Sequence, residues 1–236
     1  MRFDVMTLFA DMVRTVLDES ILGRAQKKQL IQIGVHDIRA FAVNDYGRVD
    51  DTPYGGGKGM LMMAPPIYDC YQSILREYPV PPQNRHVIYL SPKGKTFTQS
   101  DAQRLCGYEQ LIFLCGHYEG VDQRVLDEIV DEEISVGDYV LTGGELPACI
   151  VIDAVSRLID GVLSDKVCYE EESFSEGLLE YPQYTRPYEY HGKTVPDVLI
   201  SGHHENIRLW RHEQSVALTR ERRPDLLQNV HTEQKD

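Results

Sequence analysis

The sequence predicts an α/β fold in which a parallel sheet is covered by helices on both faces and is followed by a small α-helical C-terminal domain. Three observations lead to this prediction. Short apolar segments alternate with helix-like segments over the first two-thirds of the 236 residues. Two of the apolar segments, "HVIYLS" and "QLIFLCG", are continuous, which is typical of strands buried on both faces. After residue 163 the sequence becomes polar and acidic, and then helix-like.

The elements of the first region follow from apolar periodicity and from proline placement. Pro65 and Pro66 predict a helix that runs to about Tyr78, because proline is tolerated in the first helical turn. The strand "HVIYLS" is predicted to end at Ser91–Pro92, and a later strand is predicted to end near Val136. The other predicted elements are the strands "FDVMTLF", "LIQIGVHDI" and "QLIFLCG" and the helices "ADMVRTVLD", "TQSDAQRLCGY" and about Pro147 to Asp160.

The last third of the chain has a different character. The stretch "SDKVCYEEESFSEG" lacks periodicity and predicts a linker. From Pro196 onward the sequence is helix-like, with a start at Ser201 or His203 and a stop near Pro224. We therefore predict a sheet-containing domain over residues 1–163, a flexible acidic linker over 164–176 and a helical domain over 177–236.

Composition argues against several classes of protein. No apolar stretch approaches the ~20 residues of a membrane helix, and Arg2 and Asp4 interrupt the apolar start, so neither a membrane span nor a signal peptide is expected. The five cysteines show no Cys-x-x-Cys spacing, which favours a reducing cytoplasm, no disulfides and no zinc site. No metal is predicted.

Charge lowers the expectation of a nucleic-acid partner without removing it. The formal net charge is −13, whereas phosphate binding needs basic surface. The charge is uneven, however: residues 119–138 hold eight acids and one arginine, and residues 208–223 hold five arginines and two acids. A local basic face can still bind RNA.

Residues 51–60, "DTPYGGGKGM", suggest a phosphate-binding loop at first sight. A P-loop requires Ser or Thr directly after its lysine, but Lys58 is followed by Gly59. An NTP-dependent enzyme is therefore a weak alternative. The stretch is interpreted either as a mobile surface loop or as a loop whose bare backbone lets a flat ligand approach closely.

Three other segments place small residues at predicted strand ends: "IYLSPKG", "FLCGHYEG" and "ISVGDYVLTGGELP". In parallel sheets, ligands bind beyond the carboxyl ends of the strands. None of the segments contains Gly-x-Gly-x-x-Gly, so a dinucleotide site is not expected. Each segment alone could be ordinary turn chemistry, but the three together predict a ligand site at one sheet edge.

Long motifs across the chain resemble one enzyme family. They are "VDDTPYGGGKGMLM", "YLSPKGKTF", "LCGHYEGVDQRV", "DEEISVGDYVLTGGELPACIVIDAVSRLIDGVL", "GLLEYPQYTRP" and "LISGHHENIRLWR". Together they resemble the bacterial tRNA (guanine-N1)-methyltransferases of the SPOUT class. The resemblance implies a parallel-sheet SPOUT domain with a deep trefoil knot, an obligate homodimer, S-adenosylmethionine as methyl donor, and tRNA as substrate. The product would be N1-methylguanosine beside the anticodon, on its 3′ side.

The resemblance also implies a donor site in the three strand-end segments. Glu119 would be an acid near the sulfonium or amine of the donor, or else a solvated carboxylate at a helix start. The donor-binding residues carried over are Tyr89, Leu90, Ser91, Pro92, Gly116, Tyr118, Glu119, Val136, Gly137, Asp138, Tyr139, Val140, Leu141, Gly143 and Gly144. His117 stands where arginine is also common in the family.

Methylation at N1 requires a base for the N1 proton and a cation for the charge on O6. Arg157 matches the family arginine for the second role, although a helical pair with Asp153 is an alternative. Where the family usually has Asp-Ser-Phe, this sequence has "EESF", which makes Glu172 the candidate base and Glu171 its competitor. Composition alone would favour the interpretation that the "EEES" run is a solvated cluster of charges and contains no catalytic base. Asp50 and Gly59 are assigned to the guanine pocket.

Two rival functions stay open at this point. One is a SPOUT methyltransferase that acts on another RNA or position. The other is a donor-binding RNA module without catalysis, which the altered base residue makes conceivable.

Overall fold

We describe a computed structural model of the chain, which covers residues 1–44, 46–164, 172–174 and 177–229. The chain divides into two compact units, Met1–Ser164 and Asp165–Asp236. Among the described residues, no helix is both long enough and apolar enough to cross a membrane.

The first unit alternates strands and helices in the predicted manner. The strands are β1 (Arg2–Thr7), β2 (Gln32–Asp37), β3 (Asp50–Asp51), β4 (Leu61–Met62), β5 (Arg85–Thr96), β6 (Gln110–Cys115) and β7 (Glu132–Ser135). The helices are α1 (Ala10–Leu17), α2 (Ser20–Lys27), α3 (Ala64–Glu77), α4 (Gln99–Leu105), α5 (Gln123–Ile129) and α6 (Glu145–Ser156).

Five strands form one sheet in the order β2-β1-β6-β5-β7, and all their pairings are parallel. The α/β fold with a parallel central sheet is therefore confirmed. The two faces of the sheet bury separate apolar clusters: Ile88 and Phe113 belong to one, and Val87 and Ile112 belong to the other. Because side chains alternate between the faces, a strand buried on both sides needs apolar residues at every position.

The end predicted for the strand "HVIYLS" is wrong. β5 does not stop at Ser91–Pro92: Leu90 and Lys95 both pair with Ile134, so the intervening residues bulge out before the strand resumes. Gly94 allows the strand to rejoin, because a Cβ there would lie 2.4 Å from the backbone of Glu133. Residues 91–94, "SPKG", form this bulge.

Two short helices were not expected from the sequence. α2 contains Gly23 in its middle, and glycine lowers helix propensity by about 1 kcal/mol relative to alanine. α5 lies in the acidic run, where charge obscured the apolar spacing of Val125, Leu126 and Ile129. Asp122 caps α5 by accepting from the backbone N–H of Arg124.

A buried charged cluster joins side chains of β1, β2 and β6. Asp4 is fully buried and accepts hydrogen bonds at 2.7–2.8 Å from Arg2, His36 and Gln110. Burial alone would raise the pKa of Asp4, but the hydrogen bonds from His36, Arg2 and Gln110 and the charge of Arg2 outweigh it and hold the pKa below its usual value. The guanidinium of Arg2 also lies 3.2 Å from the ring centroid of Tyr78.

The second unit holds a small hairpin followed by helices. Its elements are β8 (Glu189–Tyr190), β9 (Lys193–Thr194), α7 (Asp197–Ile200), α8 (His204–Arg222) and α9 (Pro224–Asn229). The helix predicted to start at Ser201 or His203 begins at His204, directly after its N-cap His203. It ends before Pro224, as expected, and Pro224 then opens α9, since a first-turn proline costs no hydrogen bond.

Candidate active site

A cavity of about 270 Å³ lies at the carboxyl edge of the main sheet. It is built where β6, β5 and β7 end side by side, because parallel neighbours finish at the same edge. The structure thus brings the three predicted strand-end segments together. From the predicted donor set, the cavity wall holds Tyr89, Leu90, Ser91, Pro92, Gly116, Tyr118, Glu119, Val136, Gly137, Tyr139, Val140, Leu141, Gly143 and Gly144. Asp138 is exposed and does not line the cavity.

Two of the loops touch through bare backbone. The N–H of Gly144 donates to the carbonyl of Gly116 at 3.0 Å. A Cβ on Gly144 would lie 2.8 Å from the Cα of Cys115, and one on Gly116 would lie 2.8 Å from the hydroxyl of Tyr89. A side chain at Gly144 would press on backbone, and one at Gly116 would displace the ring of Tyr89, so the shape of the cavity depends on both glycines.

His117 supplies an unsatisfied polar atom to the wall. Its Nδ1 is buried and has no hydrogen-bond partner within the described part of the chain. The ring packs between Phe9 and Tyr118, with centroid distances of 4.8 and 5.1 Å. Tyr118 itself has a φ of 59°, an uncommon conformation for a residue with a side chain. A buried nitrogen without a partner carries a desolvation cost that a polar ligand could relieve.

The cysteines beside the cavity do not supply a nucleophile. Burial raises the pKa of the Cys149 thiol to about 11 and that of Cys115 well above its usual value, and Glu145 adds to both shifts. The two thiols therefore stay protonated at neutral pH, and a thiolate is the reactive form. Glu145 is itself buried and accepts a hydrogen bond from the hydroxyl of Thr7 at 2.8 Å.

The glycine-rich stretch is anchored to the mouth of this cavity. It connects β3 and β4, which pair as an antiparallel hairpin in which Asp50 lies opposite Met62. The N–H of Glu119 donates to the carbonyl of Met60 at 3.0 Å. Gly59 has a φ of +90°, and a Cβ there would lie 2.4 Å from the Cγ of Glu119. Gly59 thus contacts Glu119, which lines the cavity. Asp50 lies on the opposite strand of the hairpin, paired with Met62.

Arg157 lies away from the cavity within one copy of the chain. It is the half-buried C-cap of α6, whose opposite end borders the cavity at Gly144 and Pro147. α6 has twelve residues, so at 1.5 Å per residue its ends are about 18 Å apart. The backbone N–H of Arg157 donates to the carbonyl of Asp153. The structure therefore does not bring Arg157 to the predicted donor residues within a single copy.

Glu172 belongs to the second unit and lines a separate cavity there. This cavity measures about 500 Å³ and also contains side chains from α8, among them Arg208 and Arg211. Glu172 is half-buried. Its competitor Glu171 lies outside the described residues.

A comparison with known families assigns the chain as a whole. The family model described as tRNA (Guanine-1)-methyltransferase TrmD matches residues 1–229. The chain belongs to this family.

Individual relatives agree with the family assignment. A protein of Ruminiclostridium cellulolyticum named tRNA (guanine-N(1)-)-methyltransferase is 54% identical over 230 residues, which cover 98% of this chain and 97% of the relative. Proteins of the same name from Alkaliphilus oremlandii and Clostridioides difficile are 55% and 53% identical. Their alignments cover 98% and 96% of this chain and 94% and 97% of the relatives. The resemblance to the tRNA (guanine-1)-methyltransferases is thus confirmed over nearly the whole chain.

The structure adds cavity residues that the sequence reasoning did not single out. Lys93 and Thr142 stand directly beside assigned residues, and Gln123 opens the unexpected α5. The other additions are Leu61, Gly120, Val121, Leu126, Ile134, Ser135 and Pro147, and His117, which the sequence analysis names, lines the cavity as well. Most of them adjoin assigned residues in the three strand-end segments, so assigning each segment as a whole to the cavity would have predicted them. Within the described ranges, no group of three or more His, Cys, Asp or Glu residues is placed to hold a metal ion.

Proposed function

We propose that the protein transfers a methyl group from S-adenosylmethionine to N1 of the guanosine that follows the anticodon in tRNA. The observation that carries this proposal is the family match over residues 1–229. The 270 Å³ cavity supports it, because it lies near the lower end of the ~300–1,000 Å³ that small-molecule sites occupy.

The residues of the cavity fit the donor. The orphaned Nδ1 of His117 and the carboxylate of Glu119 offer partners to the polar ends of an amino acid or a nucleoside. Gly116, Gly143 and Gly144 line the cavity without side chains, which would let a flat base approach the backbone closely. When bound, S-adenosylmethionine would supply an electrophilic methyl group, and Tyr89, Leu141 and the bulge at Ser91 would enclose it.

The acceptor needs a base and a cation, and we assign both roles to residues that lie outside this cavity. Guanine N1 is protonated at neutral pH, so we assign Glu172 as the base that accepts this proton. We assign Arg157 to the negative charge that develops on O6. Gly59 and Asp50 would position the acceptor nucleotide, which must leave its stack to be methylated.

A homodimer would explain the position of Arg157. Within one copy, Arg157 lies about 18 Å from the cavity end of α6. We propose that the protein acts as a homodimer whose active site is shared, so that a second copy completes each cavity.

The remaining expectations follow from the family resemblance. They are a deep trefoil knot in the sheet-containing domain over residues 1–163, a linker over 164–176 and a helical tRNA-binding domain over 177–236. We also expect the protein to work in the cytoplasm. Backbone tracing in a crystal structure would test the knot.

Methyl transfer to an unmodified tRNA transcript, mapped by primer-extension stops, tests the function. We expect one stop at the guanosine after the anticodon, and no stop when adenosine replaces it. A stop elsewhere would indicate a methyltransferase of another specificity. Tight S-adenosylmethionine binding without any transfer would indicate a non-catalytic RNA module.

A further inference from the structure

The cavity of the second unit contains a pattern that the proposed chemistry does not use. One wall is a face of α8 that carries His204, Arg208, Arg211 and His212. Their spacing of four, three and one residues places them on one stripe of the helix. The other wall is formed by Glu172 and the segment from Leu178 to Tyr181.

Backbone hydrogen bonds hold the two walls in place. The N–H of Phe174 donates to the carbonyl of Leu178 at 2.8 Å, and the N–H of Glu180 donates to the hydroxyl of Ser173 at 2.9 Å. The N–H of Leu179 donates to the hydroxyl of Thr219 on α8 at 2.8 Å. The turn that bears Glu172 is therefore fixed relative to the face of α8 that carries Arg208 and Arg211.

Arg211 is the residue whose hydrogen bonding is incomplete. Its guanidinium lies 4.7 Å from the ring centroid of Tyr181, an arrangement that stabilises the charge. Its Nε is buried and has no hydrogen-bond partner in the part of the chain that the structure describes. Arg208, by contrast, forms two hydrogen bonds with Glu205. A buried N–H without an acceptor is costly unless a ligand supplies one.

The cavity also contains two carboxylates, Glu172 and Glu180, but neither bonds to this Nε. Glu180 instead accepts from the side-chain amide of Gln183. None of the described residues supplies an acceptor to this Nε, so an oxygen of a bound ligand would satisfy it. Arginine presents Nε and Nη as a planar fork, which matches the oxygen pair of a phosphate.

We propose that Arg211, flanked by His204 and His212, binds a backbone phosphate of the tRNA beside the guanosine to be methylated. This inference rests on the proposed function, because Glu172 in the same cavity is assigned to that guanosine. A volume of about 500 Å³ leaves room for a nucleotide and not only for a phosphate ion. Arg211 would then fix the position of the acceptor nucleotide relative to Glu172, the proposed general base.

The test compares Arg211→Gln and Arg211→Lys with the charge-matched control Lys193→Gln, which removes an exposed cation from β9 in the same unit. We expect Arg211→Gln to weaken tRNA binding about 10- to 100-fold, as for a lost charged hydrogen bond. The slope of log affinity against log salt should fall by about one, since one phosphate contact is lost. Arg211→Lys should keep the slope and lose part of the affinity, and Lys193→Gln should match the parent.

Three further measurements separate the possible outcomes. S-adenosylmethionine affinity should not change in any variant, and the loss should appear in KM for tRNA rather than in kcat. If Arg211→Gln weakens tRNA binding without changing the salt slope, its role is structural and the proposal is overturned. If millimolar inorganic phosphate stabilises the parent but not the variant while tRNA affinity is equal, the site takes free phosphate and not RNA. Failure of the parent to methylate any tRNA would instead reject the proposed function.

Discussion

Glu172 is the residue on which the proposed chemistry depends most. Glu172→Gln keeps the size and the hydrogen-bonding capacity of the side chain but removes its basicity. We expect single-turnover methyl transfer to slow by roughly 10²–10⁴-fold, the usual loss for a general base. Raising the pH should partly rescue the variant, because pre-ionised guanine needs no base. Glu172→Asp should keep substantial activity.

Glu171→Gln is the matched control for this prediction, since it removes the neighbouring carboxylate. If Glu171→Gln is inactive while Glu172→Gln equals the parent, then Glu171 is the base. If neither change affects the rate, the acidic run is a solvated surface and the proton acceptor lies elsewhere. Donor affinity, measured by calorimetry, should be the same in all these variants.

Asp4 makes the stability of the fold depend on pH at the acid end. Its pKa in the folded protein lies below the value of 3.8 expected for the unfolded chain. Its stabilisation is therefore complete above that value and is lost as the pH falls through the folded pKa. Asp4→Asn should lower the unfolding free energy at neutral pH by about 3–5 kcal/mol, because Arg2 loses a buried partner.

Chemical denaturation of both proteins across the acid range measures this effect. The stability difference between the parent and Asp4→Asn should shrink as the pH falls below the unfolded pKa. Glu77→Gln, an exposed change in the last turn of α3, serves as the control and should follow the parent. A constant difference at every pH would mean that Asp4 acts through packing and not through its charge.

At the scale of elements, the cavity proposed for the donor depends on the close approach of the loops that follow β6 and β7. We expect Gly144→Ala to lower S-adenosylmethionine affinity at least about tenfold, or ~1.4 kcal/mol. The reason is that its Cβ would meet backbone, the Cα of Cys115 at 2.8 Å. In Gly143→Ala, the nearest atoms are the side-chain ends of Glu145 and His117, which can move. Calorimetry should therefore show a smaller loss for Gly143→Ala, and equal losses would contradict this account.

Elements that depend on a local sequence pattern could be predicted. Features that depend on tertiary contacts could not. β6 was predictable because both of its faces are apolar, and α3 was predictable because its prolines mark a start. The bulge in β5 was not, because it depends on Lys95 pairing with Ile134 of β7. A cavity shared by the three strand-end segments could be predicted, because parallel strands end at one edge of a sheet. The distance of Arg157 from that cavity could not, because it depends on the three-dimensional course of α6.

At the scale of the whole molecule, an apolar surface of the first unit has no partner among the described residues. It is formed by α1 and α6, which pack side by side. Met12 and Val16 on α1 are each 44% exposed, and Leu146 and Ile150 on α6 are 46% and 48% exposed. Because α1 and α6 are adjacent, we infer that these four side chains belong to the interface of the proposed dimer. This surface includes the helix that carries Arg157, so the proposed dimer and the shared active site involve the same element.

Ile150→Lys tests whether this surface joins the two copies. A lysine in an apolar interface must lose its hydration without gaining an acceptor, so we expect the dimer to dissociate. Sedimentation velocity at the assay concentration should show a monomer with little methyl transfer. Ile200→Lys makes the same substitution at a residue of α7 that is 62% exposed, and it should stay dimeric and active. If Ile150→Lys is a fully active monomer, or if the parent itself sediments as an active monomer, the active site is complete in one copy. Arg157 would then have no part in the reaction.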